Sequence, residues 1–461
     1  MRKLLVVIIL SALVFGGVAP AVQAAPADEA LLPAWFTGHS SGIEAPPPPP
    51  EPSERGGILL TEKDAGRHIE LEDGQVLVVS LEANPSTGYL WEVDSAAASG
   101  SIRQLGEVKF EPQSDLIGAP VRQTMRFDML EASQGTLPLV YHRPWENKEP
   151  TRTFSVQVEG IGTFTDEKAP LPTNPSPKAS PGERSADFNL SSPASLPSVF
   201  NWCSQGGCTP VRNQGSCGSC WAFATTGVFE SAIKIQDGLG RDLSEQYLVS
   251  CNTEGWGCNG GWWAFDYFGT EVPPGEPAGG AVYEADFPYQ ASNVACNPPH
   301  PHHEKIASWS YAGGGSSVPA VATLKQAIYT YGPVAVGVCT GSAFHNYSGG
   351  VFGIDESSSC PSPSNPISHG VVIVGWDDSR GSSGAWRLKN SWGGYWGESG
   401  YMWIEYGTSN VGFGAAYVTY SGGGSSNSPP HTPSSPTPAD GATNQSVNTN
   451  LTWSGGDPDG D

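Results

Sequence analysis

Along the first part of the chain, apolar and polar residues alternate with a period of two. Val121, Gln123, Met125, Phe127 and Met129 alternate with Arg122, Thr124, Arg126 and Asp128, and the rhythm recurs in Phe154, Val156 and Val158 and in Leu77, Val79 and Leu81. Successive side chains of a strand point to opposite faces, so the pattern predicts strands with one buried side. Continued from Gly56 to Thr163, it predicts a small all-β sandwich of immunoglobulin-like type (residues 56–163). The block contains no cysteine, so packing alone must hold it.

Between Leu196 and Tyr420 the pattern becomes mixed. Cys220 to Asp237 reads as a helix with Ala222, Phe223, Phe229, Ala232 and Ile233 available for burial, and Val318 to Tyr331 reads as a second. Val334 to Val338, Gly370 to Gly375 and Tyr401 to Glu405 read as strands. Helices first and strands afterwards predict an α+β domain (196–420) of two subdomains with a cleft between them.

Low-complexity stretches separate these blocks. Arg2 and Lys3 precede the apolar run Leu4 to Val18, and Val22-Gln23-Ala24 supplies small residues for cleavage, so residues 1–24 are read as a signal peptide and the protein as secreted. The run is short for a membrane span, and no membrane association is expected. Residues 25–55 contain Pro46 to Pro50 and Pro52 and read as a polyproline-like spacer. Residues 164–195 and 421–438, rich in Pro, Ser and Gly, read as linkers. The last stretch, 439–461, has one strand's worth of sequence around Leu451-Thr452-Trp453 and resembles the start of a fibronectin-type or immunoglobulin-like module, a β module that is incomplete here.

The net charge of -23 argues against nucleic-acid or anionic-membrane partners, which require clustered Lys and Arg. Nine cysteines, all between Cys203 and Cys360, imply four bridges and one free thiol in an exported chain. The run Gln214-Gly-Ser-Cys-Gly-Ser-Cys220-Trp-Ala-Phe places Cys220 at the start of a helix, where the backbone dipole favours a thiolate. His369 leads into the apolar strand Gly370–Gly375, a fixed mount for a general base. Asn390, 21 residues further on, offers an amide oxygen to the imidazole, with Trp392 to shield that bond.

Other readings of these residues are weaker. Cys217-Gly-Ser-Cys220 lacks the strand pattern of a redox dithiol. His300, His302 and His303 stand among prolines and read as a solvated loop, and no metal or cofactor is expected. His345 is an alternative base, but its loop, with Asn346, Ser348 and Gly349, offers a less rigid mount.

The Cys220 signature, with His369 149 residues downstream and Asn390 beyond it, resembles the papain/cathepsin family of cysteine peptidases. Ser244-Glu-Gln, Gly257-Cys-Asn-Gly-Gly261, Phe287-Pro-Tyr289, Gly332-Pro-Val and Trp396-Gly-Glu-Ser-Gly-Tyr401 follow in family order. The resemblance implies an endopeptidase acting on polypeptides through a thioester, with Cys220 as nucleophile, His369 as base and Asn390 as its orienter. It implies that the Gln214 amide and the Cys220 N–H form the oxyanion hole. Gly260 and Gly261 would bind extended substrate, Trp262 and Trp263 would border a side-chain pocket, and Ser368 and Trp392 would line the cleft. It pairs Cys217 with Cys258 and Cys251 with Cys296; Cys339 with Cys360 and Cys203 with Cys208 are the remaining assignments.

In the sandwich, Asn84-Pro85-Ser86-Thr87-Gly88-Tyr89 and Arg143-Pro144-Trp145 read on their own as turns. Together and in this order they resemble the chagasin family of cysteine-peptidase inhibitors, whose loops plug papain-like clefts. That family's third loop is glycine-rich, whereas Ile117-Gly118-Ala119-Pro120 has one glycine before a proline, which predicts a weaker third contact. No helical propeptide pattern precedes Leu196, so the sandwich is expected either to hold the enzyme latent in cis or to act against foreign peptidases.

Overall fold

The computed structural model describes residues 56–164, 196–360 and 366–422, with short stretches at 434–438, 442–443 and 452–454. The predicted signal peptide, the proline-rich spacer and nearly all of the 164–195 linker lie outside the described residues.

The alternating block folds into two four-stranded sheets. One is ordered Ile58–Leu60, Leu77–Ala83, Val121–Met129, Ile102–Pro112, and the other His68–Glu72, Arg152–Ile161, Gln134–His142, Leu90–Val93. Their inner faces share one apolar cluster, to which Val121, Met125, Phe127 and Met129 contribute from one sheet and Leu137, Leu139, Phe154, Val156 and Val158 from the other. Gln123 shares the alternation but is polar and fully buried. Its amide reaches the facing sheet, where Nε2 donates to Trp91 O at 2.7 Å and Oε1 accepts from Trp91 N at 2.8 Å. One side chain thus satisfies a buried peptide group of the opposite sheet.

The second block is built on an eight-stranded sheet. Alternate residues of its strands feed two apolar clusters, one on each face. Val334, Val336, Val338, Val371 and Ile373 point into one cluster, and Ala335, Val372 and Val374 into the other. Helix α1, Cys220–Asp237, is buried without interruption from Cys220 to Ile233. Three of its buried polar side chains are bonded inside the fold: Thr225 and Ser231 hydroxyls donate back to the Trp221 and Gly227 carbonyls, and Glu230 accepts from Leu243 N. Helix α2 covers Glu245–Cys251, α3 Val321–Tyr331 and α4 Ser342–His345. The second predicted helix starts three residues late, at Val321, because Pro319 biases Val318 away from helical backbone. Disulfides join Cys203 to Cys208, Cys217 to Cys258, Cys251 to Cys296 and Cys339 to Cys360, and Cys220 is the free thiol.

Two expectations are corrected. Ser434–Thr437, assigned to a linker, is a strand paired antiparallel with Thr452–Ser454, because ladder bonds are made by backbone and need no apolar run. His300 and His302 are not on a solvated loop. Glu276, far off in sequence, reaches them: its carboxylate lies 2.6 Å from His300 Nδ1 and 3.2 Å from His302 Nε2, and accepts His300 N–H at 2.8 Å. Only His303 keeps a partly exposed partner, Asp286.

Gln123→Met should leave the N–H and C=O of Trp91 buried without partners, at a cost of about 2–4 kcal/mol. Hydrogen exchange on the full chain is expected to show lost protection along Leu90–Val93 and none along Val334–Val338.

Candidate active site

Cys220 is the first residue of α1, and Ser219 caps the helix with non-helical backbone. Cys217–Cys258 and the Gly218 N–H donated to Cys258 O, 2.9 Å, tie the segment before the helix to the Gly257–Gly261 turn. The glycine wall is therefore held beside the thiol. His369 enters from the neighbouring strand His369–Asp377, whose first pair is with Val338. Asn390 follows the next strand, Ala385–Lys389.

His369 Nε2 and Asn390 Oδ1 are 2.7 Å apart. An amide oxygen only accepts, so Nε2 carries the proton and Nδ1 is left with a lone pair. Nδ1 is buried without a hydrogen-bond partner, as a nitrogen kept ready for a proton would be. Trp392 stacks on the imidazole with ring centres 4.8 Å apart. Gln214 is fully buried: its Oε1 accepts from Ser391 Oγ at 2.7 Å, and Nε2 donates one hydrogen to Cys217 O at 3.0 Å, which leaves a second hydrogen.

Three loops of the sandwich cover this site. In the first, Ser86 O accepts from Trp392 Nε1 at 2.7 Å, Pro85 O accepts from His345 Nε2 at 2.9 Å, and the Ser86 hydroxyl donates to Asn84 Oδ1 at 2.6 Å. In the second motif, Trp145 stacks on Trp392 at 5.2 Å, and Arg143 donates to Asn213 Oδ1, Gly215 O and Thr87 O. Gly88 is confined between the two indoles, where a Cβ would collide with Trp145. Thr87 caps its own loop by donating to Asn84 O, and Asn84 N donates to Tyr141 OH; Tyr89 stacks on Tyr141. Pro144 links Arg143 to Trp145.

The remaining loop overturns the expectation of a weak contact. Ile117 exchanges both main-chain hydrogen bonds with Gly261, each 3.0 Å, and Gly118 N donates to Ser368 O at 3.2 Å. Ile117 is fully buried, in the same apolar cluster as Trp262 and Trp263. Backbone pairing carries this contact, so a glycine-rich sequence is unnecessary. The signal that sequence could have offered was the apolar pair Leu116-Ile117 at the tip of a loop that opens with Gln113-Ser-Asp115.

His345 also differs from its sequence reading. It is held at the end of α4 with Nδ1 2.6 Å from Gly341 O, and it is buried. Its Nε2 is used on Pro85 O, so it faces the inhibitory loop.

Burial under the sandwich moves both candidate catalytic groups toward neutrality. Desolvation pushes the Cys220 thiol up to about 12, against hydrogen bonds from the Gly370 N–H and Ser86. Desolvation pulls His369 down to about 3; the Asn390 bond opposes this, while the charges of His345 and Arg143 add to it. A covered thiol and a covered imidazole share one proton over a wide range and form no ion pair.

Residues 196–420 match the papain family cysteine protease model, and residues 70–158 match the chagasin family peptidase inhibitor model. A cathepsin L-like proteinase from Phaedon cochleariae is 33% identical over 286 residues, 61% of this chain and 81% of that protein. The senescence-specific cysteine protease SAG12 of Arabidopsis thaliana is 36% identical over 222 residues, 47% of this chain, and the match spans 58% of its length. The solved bromelain protease from Ananas comosus, in complex with the E64 inhibitor, aligns with 28% identity over 49% of this chain and 100% of its own, with a TM-score of 0.41. The family matches define a cysteine-protease domain behind a chagasin-type inhibitor domain. The chain belongs to the papain family of cysteine proteases.

A histidine pulled down on docking contributes docking energy that is complete above its ordinary 6.5 and is lost as pH falls toward its covered value; a thiol pushed up contributes energy complete below its ordinary 9.0 and lost above it. After a cut in the linker, the sandwich should therefore stay with the peptidase between pH 6.5 and 9.0 and dissociate toward about pH 4. Gel filtration of the cut chain across pH checks this.

Proposed function

We propose that the protein is a secreted cysteine endopeptidase kept latent by its own sandwich. The domains are those read from the sequence: an immunoglobulin-like inhibitor block at 56–163, a linker at 164–195 and a peptidase at 196–420. Cys220 attacks the substrate carbonyl. Its proton passes to His369 Nδ1, while Asn390 Oδ1 holds the ring in the required tautomer. The oxyanion that forms is met by the second N–H of Gln214 and by the N–H of Cys220. The leaving amine takes the proton back from His369, and water then releases the acyl group from sulfur. Gly260 and Gly261 bind the substrate backbone because no Cβ blocks the approach.

The observation that carries the cis reading is the two-way main-chain pairing of Ile117 with Gly261, flanked by the Gly118 N–H on Ser368 O and by the Pro85–Ser86 loop on His345 and Trp392. A tether raises the effective concentration of such loops to about millimolar, enough to hold the cleft closed. A partner in the same chain explains why the contacts extend to peptidase residues on both sides of the thiol.

The test is labelling of Cys220 by a thiol-directed epoxide before and after cleavage within 164–195. Labelling and peptide hydrolysis should both rise on cleavage, and an uncut chain, verified by mass, that works as fast as the cut one would refute the brake. Cys220→Ala and His369→Ala should each lower hydrolysis by about a thousandfold or more with the fold retained. Asn390→Ala should cost less, since orientation is lost and no reacting group is.

A further inference from the structure

The loop Leu116–Ala119 lies in the cleft as a substrate would, up to the bond at which a substrate would be cut. Ile117 is paired in both directions with Gly261, the geometry in which an extended peptide adds to a strand edge. Gly118 N donates to Ser368 O, which continues the register by one residue. That residue then sits against the nucleophile: a Cβ on Gly118 would stand 3.0 Å from Cys220 Sγ. On this register the carbonyl of Gly118 is the one a peptidase would attack.

It is not offered to the oxyanion donors. Gly118 has φ +86°, and Ala119 N donates back to Leu116 O at 3.2 Å, so the chain turns out of the cleft in a tight turn. Glycine is required there twice over, for the positive φ and because a Cβ would run into the Gly218 carbonyl. Gly118 O is taken instead by Asn84 Nδ2 at 2.8 Å. The Ser86 hydroxyl is 3.4 Å from the same oxygen, but its single proton goes to Asn84 Oδ1 at 2.6 Å, so the Asn84 amide is the hook.

We propose that Gly118–Ala119 is a latent cleavage site for this chain's own Cys220, kept intact by the Leu116–Ala119 turn and by the Asn84 amide bond to the Gly118 carbonyl. The proposal rests on the peptidase reading above. Once the hook is released, the turn opens, and Gly118 O swings to the Gln214 and Cys220 N–H groups. Cys220 sulfur then bonds to the Gly118 carbonyl carbon. The bond to Ala119 nitrogen breaks as that nitrogen takes the thiol's proton from His369. Water hydrolyses the thioester, giving a Gly118 carboxylate and the free thiol. The cut breaks the Leu116–Ala119 turn and leaves Ile117 and Gly118 as a free chain end that can leave Gly261, so the brake is lost irreversibly even with the linker whole.

Asn84→Asp tests this in the full chain, because it keeps an acceptor for the Ser86 hydroxyl and replaces the N–H donor by a carboxylate oxygen that repels the Gly118 carbonyl; Asn84→Ala removes donor and acceptor without adding charge. Under mild reductant, intact mass and N-terminal sequencing should show a new Ala119 terminus forming about tenfold faster than in the wild type, a factor within the range that one hydrogen bond carries. It should be absent when Cys220→Ala is added. A linear synthetic peptide covering Gln113 to Gln123, free of the turn, should be cut by the linker-cleaved enzyme between Gly118 and Ala119, a result independent of how the variants fold. If the linker-cleaved enzyme hydrolyses a generic peptide amide but leaves this peptide whole, or if both Asn84 variants turn over added substrate with the 118–119 bond intact, the latent site is refuted and the peptidase reading stands. If no form hydrolyses any peptide, the peptidase reading falls and takes the latent site with it.

Discussion

The two main-chain hydrogen bonds between Ile117 and Gly261 are the constraint on which the closed arrangement depends. They fix a strand-like register across the cleft, and that register sets Gly118 against Cys220 and Ile117 into the apolar cluster beneath the glycine wall. The wall is itself held by Cys217–Cys258, so the bridge, the helix start and the inhibitory loop form one continuous support. Backbone pairing is insensitive to side-chain identity, and this is why a loop with a single glycine serves here.

The covering loops act on the chemistry as well as on access. A thiolate and an imidazolium are stabilised by water and by each other; with water removed, the neutral pair is favoured. On the proposed reading, the sandwich lowers reactivity through desolvation and occupies the substrate's place through backbone contacts. Arg143 serves both effects. It binds Thr87 O, Asn213 and Gly215 O, locking two loops to the peptidase, and its charge adds to the depression of His369.

Some of this was legible in the residues. Val121–Met129 alternates without a break, and it is a strand over those residues; the helix from Cys220 to Asp237 has the predicted bounds, closed by Gly238 in the left-handed conformation. The reading of His300 and His302 failed because their partner, Glu276, is 24 residues from His300 and no local pattern announces it. The reading of His345 failed because α4 is a single short turn, below the length at which periodicity carries information. Gln123 was visible as part of an alternation, but its role was not, since the peptide group it satisfies belongs to the other sheet.

The sequence by itself determined the local elements and the set of reactive side chains, because period, capping and turn chemistry act over a few residues and a thiol, an imidazole and an amide carry their chemistry with them. Tertiary structure alone decided which groups meet. It brought Asn84 to the Gly118 carbonyl and Ser86 to Cys220, and it put His345 on the inhibitory loop. It also decided protonation, since burial under a separately folded block shifts a thiol and an imidazole in opposite directions, and no stretch of sequence around either residue encodes that burial.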